Sequence, residues 1–364
     1  MSSAPAAVRL DVGSRSGAYA VHIAPGLLRA LPALLDDAGV PSRRIVVSNP
    51  TVWRLHARGF GDLAANEPIL IPDGERFKHL QTVGRIYEGL IRMRADRSTA
   101  IVAIGGGVVG DIAGFAAATY LRGLPLVQVP TTLLAQVDSA IGGKVGVNHV
   151  AGKNLIGAFH APAAVVIDPQ VLVTLPRREF RAGLYEVIKY GIIASRPLFD
   201  RVASTLTPLF ARDAAVLVPV ISESCAIKGR IVEADERESG LRRTLNFGHT
   251  IGHALEAVTK YRRFRHGEAV AYGMLVAGAI AGARGMMPAG DFDALKGIVA
   301  KMGPLPAITD LSIAETIEAT ERDKKVIDGR LHFVLPGAIG TTHIVDDVSE
   351  EELTRELGGM GLQA

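Results

Sequence analysis

Short, mostly apolar runs constrain the fold of the first half of the chain most strongly. Each run has four or five residues and ends near a turn-forming residue, as a buried strand does. Strands without alternation suit a parallel sheet that helices cover on both faces. The predicted strands are residues 44–48, 68–71, 100–104, 126–129 and 164–167. Because helical patterns such as 80–93 lie between them, this region is predicted to be a doubly wound α/β domain.

Helical patterns replace the strand signal after about residue 180. They cover residues 183–194, 214–233, 248–259, 267–283 and 291–301, and a late strand pair is predicted at 331–335 and 342–345. The boundary is predicted near Leu175–Arg177. This gives a first domain of residues 1–178 and a mainly helical second domain of residues 179–364.

Charge and cysteine content argue against several classes of protein. A net charge of +3 is too small to indicate nucleic-acid binding, which needs a clustered basic face. The densest basic run, Arg262, Arg263 and Arg265 beside His266, is either a solvated loop or a rim that attracts phosphate. The single cysteine, Cys225, excludes an intrachain disulfide and fits a reducing compartment.

The chain shows no signal-peptide pattern and no apolar run of membrane-spanning length. We therefore expect a cytoplasmic protein without a membrane partner.

A glycine loop of the form G-x-G-x-x-G occupies residues 105–110. It follows a predicted strand and precedes a predicted helix, 111–119, which is the context that pyrophosphate binding requires. Nucleotide binding is the sharper interpretation, and a tight structural turn is the alternative. The acidic residue expected about 20 positions later is missing. Asp73 and Glu75, which follow the strand at 68–71, are candidates for that ribose contact.

A second glycine-rich segment, residues 136–154, contains Lys144, Lys153 and Asn154. Two ammonium groups and an amide in such surroundings suit phosphate or hydroxyl groups of a ligand. A solvent-exposed loop is the alternative.

Three histidines and one glutamate have the spacing of a metal site. His249 and His253 are four residues apart and share a helical face, His266 follows, and Glu186 stands in an otherwise apolar helix. Nitrogen and oxygen ligands of this kind indicate a catalytic zinc site. No glutamate follows His249, so the metalloprotease motif is absent. Hydrogen-bonded helix-end histidines are the alternative, and spacing does not tell which two histidines bind.

These motifs together resemble those of 3-dehydroquinate synthases, over nearly the whole chain and in the family's order. The matching segments are 105–111, 130–138, 142–144, 152–159, 186–191, 245–250, 266–270 and 323–325. The resemblance implies a Rossmann-like NAD-binding domain with a parallel sheet, a helical domain that binds Zn²⁺ or Co²⁺, and a homodimer with its active site between the domains. The implied substrate is a sugar phosphate, 3-deoxy-D-arabino-heptulosonate 7-phosphate.

The resemblance also implies residue roles. The metal ligands would be Glu186, His249 and His266, and Arg122 would reach the partner subunit's site. Contacts to NAD are implied for Asp73, Glu75, Lys78, Gly106, Gly107, Val108, Val109, Gly110, Asp111, Thr131, Thr132, Lys144, Lys153, Thr174 and Leu175. Catalytic or substrate-binding roles are implied for Asp138, Lys144, Lys153, Asn154, Lys189, Lys228, Arg242, Asn246, His253 and one lysine of the pair Lys324 and Lys325.

Three other functions compete with this one. A sister cyclase would act on another sugar phosphate, but Asn246 and His253 resemble the dehydroquinate type. A metal-dependent alcohol dehydrogenase, such as a glycerol dehydrogenase, would not need the phosphate-binding lysines. A nucleotide sensor without catalysis would not need a complete metal set. Tyr185 departs from the family, which usually has alanine there, and is expected to alter packing beside Glu186.

Overall fold

The computed structural model describes residues 7–15, 17–238, 240–321, 326–327 and 330–364. The strands are β1 (Val8–Ser14), β2 (Gly17–Ile23), β3 (Arg43–Ser48), β4 (Ile69–Leu70), β5 (Thr99–Gly105), β6 (Leu126–Pro130), β7 (Lys144–His149), β8 (Gly152–Phe159), β9 (Ala164–Ile167), β10 (Val326–Ile327), β11 (Arg330–Leu331), β12 (Phe333–Pro336) and β13 (Thr342–Val345). The helices are α1 (Leu31–Asp37), α2 (Pro50–His56), α3 (Leu80–Arg92), α4 (Gly107–Thr119), α5 (Arg177–Ala194), α6 (Arg196–Ser204), α7 (Leu206–Phe210), α8 (Ala214–Ala234), α9 (His249–Val258), α10 (His266–Ala283), α11 (Ala289–Lys301), α12 (Ile313–Glu321) and α13 (Glu350–Gly359).

The chain divides into two compact units. The first contains the described residues up to Pro176 together with Pro208–Glu236, and the second contains Arg177–Thr207 and Arg237–Ala364. The division differs from the simple cut at residue 178 because α8 returns to the first unit, where it packs against β1. No periodic pattern in the sequence distinguishes a helix that returns in this way from one that stays with its neighbours.

A mostly parallel sheet forms the centre of the first unit. Its strand order is β1-β2-β9-β6-β5-β3-β4, and only the β1–β2 pair is antiparallel. All five predicted strands are present, as β3, β4, β5, β6 and β9, which confirms the α/β fold class. The β1–β2 hairpin was not predicted, and it extends one edge of the sheet.

Helices α3 and α4 cover one face of this sheet. α3 is amphipathic, and Val83, Ile86 and Leu90 lie along its buried stripe. α4 is apolar around most of its circumference, and Ile112 and Ala116 are fully buried. Burying one large aliphatic side chain contributes about 1.5–3 kcal/mol. This packing fixes the start of α4, and therefore the glycine loop, at the end of β5.

Cys225 lies on α8 and is fully buried. Its Sγ contacts the backbone carbonyl of Gln136 at 3.3 Å, and burial raises the pKa of the thiol to about 12. Cys225 is therefore a small residue of the core.

The second unit is mainly helical, as predicted, with α10 in contact with α5, α9, α11, α13 and β12. β12 and β13 form the predicted late antiparallel pair. α9 and α10 approach each other so closely that a Cβ atom at Gly273 would lie 1.8 Å from the carbonyl oxygen of Gly248. Among the described residues, no helix is long and apolar enough to cross a bilayer.

Candidate functional site

The glycine loop of the first unit connects β5 to α4. Gly106 stands in an extended conformation before the first residue of α4, Gly107, and a Cβ atom at Gly106 would lie 3.0 Å from Cγ2 of Thr132. Because Gly106 has no side chain to cap the helix, the first N–H groups of α4 need water or a ligand as acceptors. The helix dipole favours an anion at this position.

The other predicted cofactor residues follow the same edge of the sheet. β4, β5, β6 and β9 are parallel, so their carboxyl ends meet on one side, where ligands of open α/β sheets bind. The residues that follow these ends are Asp73, Glu75 and Lys78 after β4, Gly106–Asp111 after β5, Thr131 and Thr132 after β6, and Thr174 and Leu175 after β9. The fold therefore brings this set to one edge.

Lys78 joins a predicted cofactor residue to a predicted substrate residue. Its ammonium lies 2.5 Å from Asp111 Oδ2 on α4 and donates a 2.6 Å hydrogen bond to Asn154 Oδ1 on β8. Burial alone lowers the pKa of Lys78, but the carboxylates of Asp111 and Glu75 outweigh burial and raise that pKa. Because an ammonium only donates, the Asn154 atom that faces it must be the carbonyl oxygen.

From Lys144 onward, the second glycine segment forms a β-hairpin, β7–β8, rather than a loop. Lys144 begins β7, whereas Lys153 and Asn154 follow the turn in β8. Asn148, near the turn end of β7, accepts the backbone N–H of Asn154 at 2.9 Å. Four residues of strand separate Lys144 from Asn148, about 13 Å. The backbone of Lys144 is thus well separated from that of Asn154.

Lys228 of α8 holds Asp138, a predicted substrate residue. Its ammonium donates to the Asp138 carbonyl at 2.6 Å and to Oδ1 at 2.7 Å. Asp138 lies in a π-helical turn, Ala135–Ser139, a conformation that is frequent at functional sites. Both residues belong to the first unit because α8 returns to it.

A strained and exposed turn carries Arg122. Leu121 and Arg122 are consecutive and have φ values of 49° and 68°, which L-residues other than asparagine and aspartate rarely adopt. Leu121 is 42% exposed, and Arg122 is also exposed. Residues held in this region cost about 1–3 kcal/mol each and cluster at functional sites.

The second unit assembles the predicted metal residues from three helices. Glu186 on α5 is fully buried, and its Oε1 lies 3.6 Å from Nε2 of His249 on α9 and 3.7 Å from Nε2 of His266 on α10. Lys189 lies one turn further along α5, with its ammonium 2.5 Å from Glu186 Oε2. Despite this ion pair, neither carboxylate oxygen has a partner in hydrogen-bond geometry among the residues that the structure describes.

The Nδ1 atoms of His249 and His266, the ring nitrogens other than those facing Glu186, each contact a hydrogen-bond acceptor. Nδ1 of His249 is 3.1 Å from the Phe247 carbonyl oxygen, and Nδ1 of His266 is 3.4 Å from Glu256 Oε2. His253 lies close to both, since one ring nitrogen from each of the three histidines falls within 4.8 Å of the others. The carboxylate of Glu186 and the nitrogens of the three histidines are therefore close enough together for a metal ion to be bound among them.

The side chains present fit a zinc or cobalt ion. Tetrahedral ligands about 2.0–2.1 Å from Zn²⁺ lie about 3.3 Å from one another, close to the Glu186–histidine separations observed without an ion. A buried carboxylate whose oxygens accept no hydrogen bond is costly unless a cation satisfies it. The ammonium of Lys189 compensates the charge only on the Oε2 side.

An ionic cluster around Glu268 holds the first turns of α5 and α10 together. Glu268 accepts hydrogen bonds from Arg178 at 2.8 and 2.7 Å, from Arg181 at 2.6 Å and from the Arg265 backbone at 2.9 Å. Burial alone raises the pKa of Glu268, but these hydrogen bonds outweigh burial and lower it. The cluster ties together two of the three helices that carry the metal residues.

The basic run at 262–265 is used in surface ion pairs. Arg263 pairs with Asp310 and Arg265 pairs with Glu179, each at 2.6 Å. These contacts favour the solvated-loop interpretation over a phosphate-attracting rim.

The predicted substrate residues of the second unit lie on a short 3-10 helix, Leu241–Asn246, and on α5 and α9. Arg242 is 2% exposed, and Asn246 Nδ2 donates to Glu238 Oε1 at 2.6 Å. Lys324 and Lys325 lie outside the described residues.

Sequence reasoning missed Glu238 and Glu256, which contact predicted site residues. Glu256 could have been found, because it stands three residues after His253 and seven after His249, on the same helical face. Glu238 contacts Asn246 through a non-helical backbone with φ 62°, and no spacing pattern indicates such a contact.

Tyr185, beside Glu186, has a fully buried hydroxyl that finds no hydrogen-bond partner in the described part of the chain. Burial raises its pKa to about 12. Because an unsatisfied buried hydroxyl costs about 1–3 kcal/mol, we expect Tyr185→Phe to leave the free energy of unfolding unchanged or to raise it. Urea denaturation measures this change, and Tyr190→Phe on the same helix is the control. A loss above about 1 kcal/mol in Tyr185→Phe would show that the hydroxyl has a partner.

Comparison with known proteins identifies the family of this chain. The 3-dehydroquinate synthase N-terminal family model matches residues 68–182, and the C-terminal model matches residues 183–326. The 3-dehydroquinate synthase of Gloeobacter violaceus is 47% identical over 360 residues, which cover 96% of this chain and 98% of that protein.

Two solved structures share the fold over both units. One is ValA, 2-epi-5-epi-valiolone synthase from Streptomyces hygroscopicus subsp. jinggangensis, with NAD⁺ and Zn²⁺ bound. It is 28% identical with a TM-score of 0.85, and the match covers 94% of this chain and 96% of that chain. The other is 2-deoxy-scyllo-inosose synthase complexed with carbaglucose-6-phosphate, NAD⁺ and Co²⁺. It is 27% identical with a TM-score of 0.85, and the match covers 96% of this chain and 98% of that chain.

The fold and its likeness to these two structures thus define a class of synthases, represented here by an α/β unit and a mainly helical unit. Within that class, identity separates the branches, at 27–28% for the two solved synthases and 47% for the dehydroquinate enzyme. The chain belongs to the 3-dehydroquinate synthase family.

Proposed function

We propose that this chain converts 3-deoxy-D-arabino-heptulosonate 7-phosphate into 3-dehydroquinate and inorganic phosphate. The observation that carries the proposal is the buried carboxylate of Glu186 with two histidine Nε2 atoms within 3.7 Å, in a chain of this family. The reaction oxidises the C5 alcohol, eliminates phosphate, reduces the C5 ketone and closes the ring by an intramolecular aldol. It is a carbon–oxygen lyase reaction in which the redox steps cancel.

The proposed cofactors are NAD and Zn²⁺ or Co²⁺, which the two solved synthases bind. NAD supplies a hydride acceptor that is regenerated in each turnover, and the metal supplies a Lewis acid for the C5 oxygen. Glu186, His249 and His266 would hold the metal. The residues after β4, β5, β6 and β9 would hold NAD, with its pyrophosphate at the N-terminus of α4.

The chain's own residues would position the substrate. The buried guanidinium of Arg242 offers the bidentate geometry that suits a carboxylate or phosphate. Lys78 orients the amide of Asn154 by fixing its oxygen, so that the amide nitrogen is the end that can donate to a ligand oxygen. Lys144, Lys153 and His253 are the further proposed phosphate and substrate contacts. Such positioning contributes several kcal/mol to a rate enhancement.

A turnover assay at trace NAD tests this function. Purified protein is supplied with the heptulosonate phosphate, Zn²⁺ and NAD, with the NAD concentration far below that of the heptulosonate phosphate. The release of phosphate and the formation of dehydroquinate are followed by mass spectrometry. Many turnovers for each NAD, without accumulation of NADH, are expected. Stoichiometric NADH formation would indicate a dehydrogenase. Lack of product with bound metal would favour a sister cyclase, to be assayed with other sugar phosphates.

We also propose a homodimer in which Arg122 acts in the partner subunit's site, supported by the strained, exposed turn at residues 121–122. Arg122→Ala should then lose activity, and mixing it with His249→Ala should restore about a quarter of native activity by random pairing in a two-fold dimer. Sedimentation before and after mixing is the control for assembly. Failure of mixed dimers to regain activity would contradict action across the dimer.

A further inference from the structure

Glu256 is a buried acidic residue to which neither the family resemblance nor the proposed reaction assigns a role. It lies on α9, and its side chain is only 5% exposed. It shares the helical face of His249 and His253, and its Oε2 is 3.4 Å from Nδ1 of His266 on α10. A carboxylate in such a position is costly to bury, so its contact with an imidazole needs an explanation.

The two nitrogens of the His266 ring face two different carboxylates. Nε2 lies 3.7 Å from Glu186 Oε1, and Nδ1 lies 3.4 Å from Glu256 Oε2. In a neutral imidazole one nitrogen donates and the other accepts, and an ionised carboxylate only accepts. The Glu256 contact therefore places the ring proton on Nδ1. The lone pair of Nε2 then points toward Glu186, where a cation would sit.

His249 follows the same rule with a weaker acceptor. Its Nδ1 is 3.1 Å from a neutral backbone carbonyl, that of Phe247, while its Nε2 faces Glu186. The carbonyl belongs to the turn that leads into α9, so local backbone folding helps to orient His249. His266 stands at the first residue of α10, and a side chain from α9 contacts its outer nitrogen instead.

We infer that Glu256 is a positioning residue for the metal site, which fixes the tautomer and ring orientation of His266. The inference rests on the proposed function, because it takes the site between Glu186, His249 and His266 to be a metal site. Outer carboxylates of this kind commonly change metal affinity by about 10–100-fold when removed.

Metal affinity of the full chain, stripped of metal and titrated with Zn²⁺ against a chelator, tests the inference. Glu256→Met keeps the side-chain volume and removes the acceptor, so its affinity should fall by about 10–100-fold. Glu256→Gln keeps an acceptor oxygen and should stay closer to the native value than to Glu256→Met. With Co²⁺, the visible absorption of the Glu256→Met complex should shift, since the ring is no longer held.

A core variant controls for general destabilisation. Leu295→Ala on α11 removes a fully buried side chain that packs against α10 at Gly278, twelve residues from His266 and thus about 18 Å along the helix. It should lower stability and leave Zn²⁺ affinity unchanged. Native-like affinity in Glu256→Met, or equal losses in Glu256→Met and Glu256→Gln, would overturn the inference. Native-like affinity in His266→Ala would instead overturn the proposed metal site itself.

Discussion

Replacing Glu186 with glutamine should abolish tight metal binding and turnover together. The substitution keeps the shape of the side chain and removes the negative charge of the carboxylate whose Oε1 lies 3.6 Å from His249 Nε2 and 3.7 Å from His266 Nε2. Removing a residue that only hydrogen-bonds a metal ligand already lowers metal affinity by about 10–100-fold. Removing Glu186, a proposed ligand itself, should therefore lower metal affinity by more than about 100-fold. Metal content after dialysis and activity with the heptulosonate phosphate measure the two effects.

The Glu186→Gln substitution also leaves the buried ammonium of Lys189 without its counter-charge. Breaking a buried ion pair costs about 3–5 kcal/mol, so stability and metal binding must be measured separately. The double variant Glu186→Gln/Lys189→Met should regain stability but not metal. Glu179→Gln, on the same helix but half-exposed, is the matched control and should bind metal normally. Full activity of Glu186→Gln without bound metal would exclude the proposed site.

Substitution of His253 distinguishes two possible sets of metal ligands, one without His253 and one that includes it. If Glu186, His249 and His266 are the ligands, metal content should be lost in His249→Ala and retained in His253→Ala. The proximity of the three rings makes this comparison necessary, because one nitrogen from each falls within 4.8 Å of the others.

Gly273→Ala should be the most damaging methyl addition in the second unit. Its Cβ atom would lie 1.8 Å from the Gly248 carbonyl oxygen, and backbone cannot rotate away as a side chain can. Overpacking of a core costs about 1–3 kcal/mol and more where backbone must move, so we expect a loss of at least about 3 kcal/mol. Gly248 directly precedes His249, and metal affinity should fall as well.

Gly282→Ala is the matched control for Gly273→Ala. It lies on the same helix, α10, and its Cβ atom would meet nothing within 4 Å. Alanine has the higher helix propensity, so this variant should gain about 0.5–1 kcal/mol. Urea unfolding of both variants gives the difference. Equal stabilities would show that α9 and α10 are not in such close contact.

The fold class could be predicted because its signal is local. Buried parallel strands are continuous apolar runs, and all five appear where the runs are. The hairpin β7–β8 was not predicted, because glycine-rich strands show little apolar periodicity in the sequence. The return of α8 to the first unit was not predicted either, because it depends on contacts between residues far apart in sequence, such as Lys228 and Asp138.

The clustering of the candidate metal residues could be predicted from the sequence, but which of the histidines would bind the ion could not. The i, i+4 spacing of His249 and His253 indicates a shared face, whereas ligand choice depends on which nitrogens face Glu186. The same limit applies to Glu256, since its contact crosses from α9 to α10.

The buried state of Cys225 has a practical consequence for following this enzyme in solution. Only a thiolate reacts readily with maleimides or oxidants, and a thiol with a pKa of about 12 inside the α8 packing supplies almost none at neutral pH. A cysteine introduced at the fully exposed Val150, at the tip of the β7–β8 hairpin, would thus be labelled against a silent background. One fluorophore there would report on the hairpin that carries Lys144, Lys153 and Asn154, without removal of any native residue elsewhere.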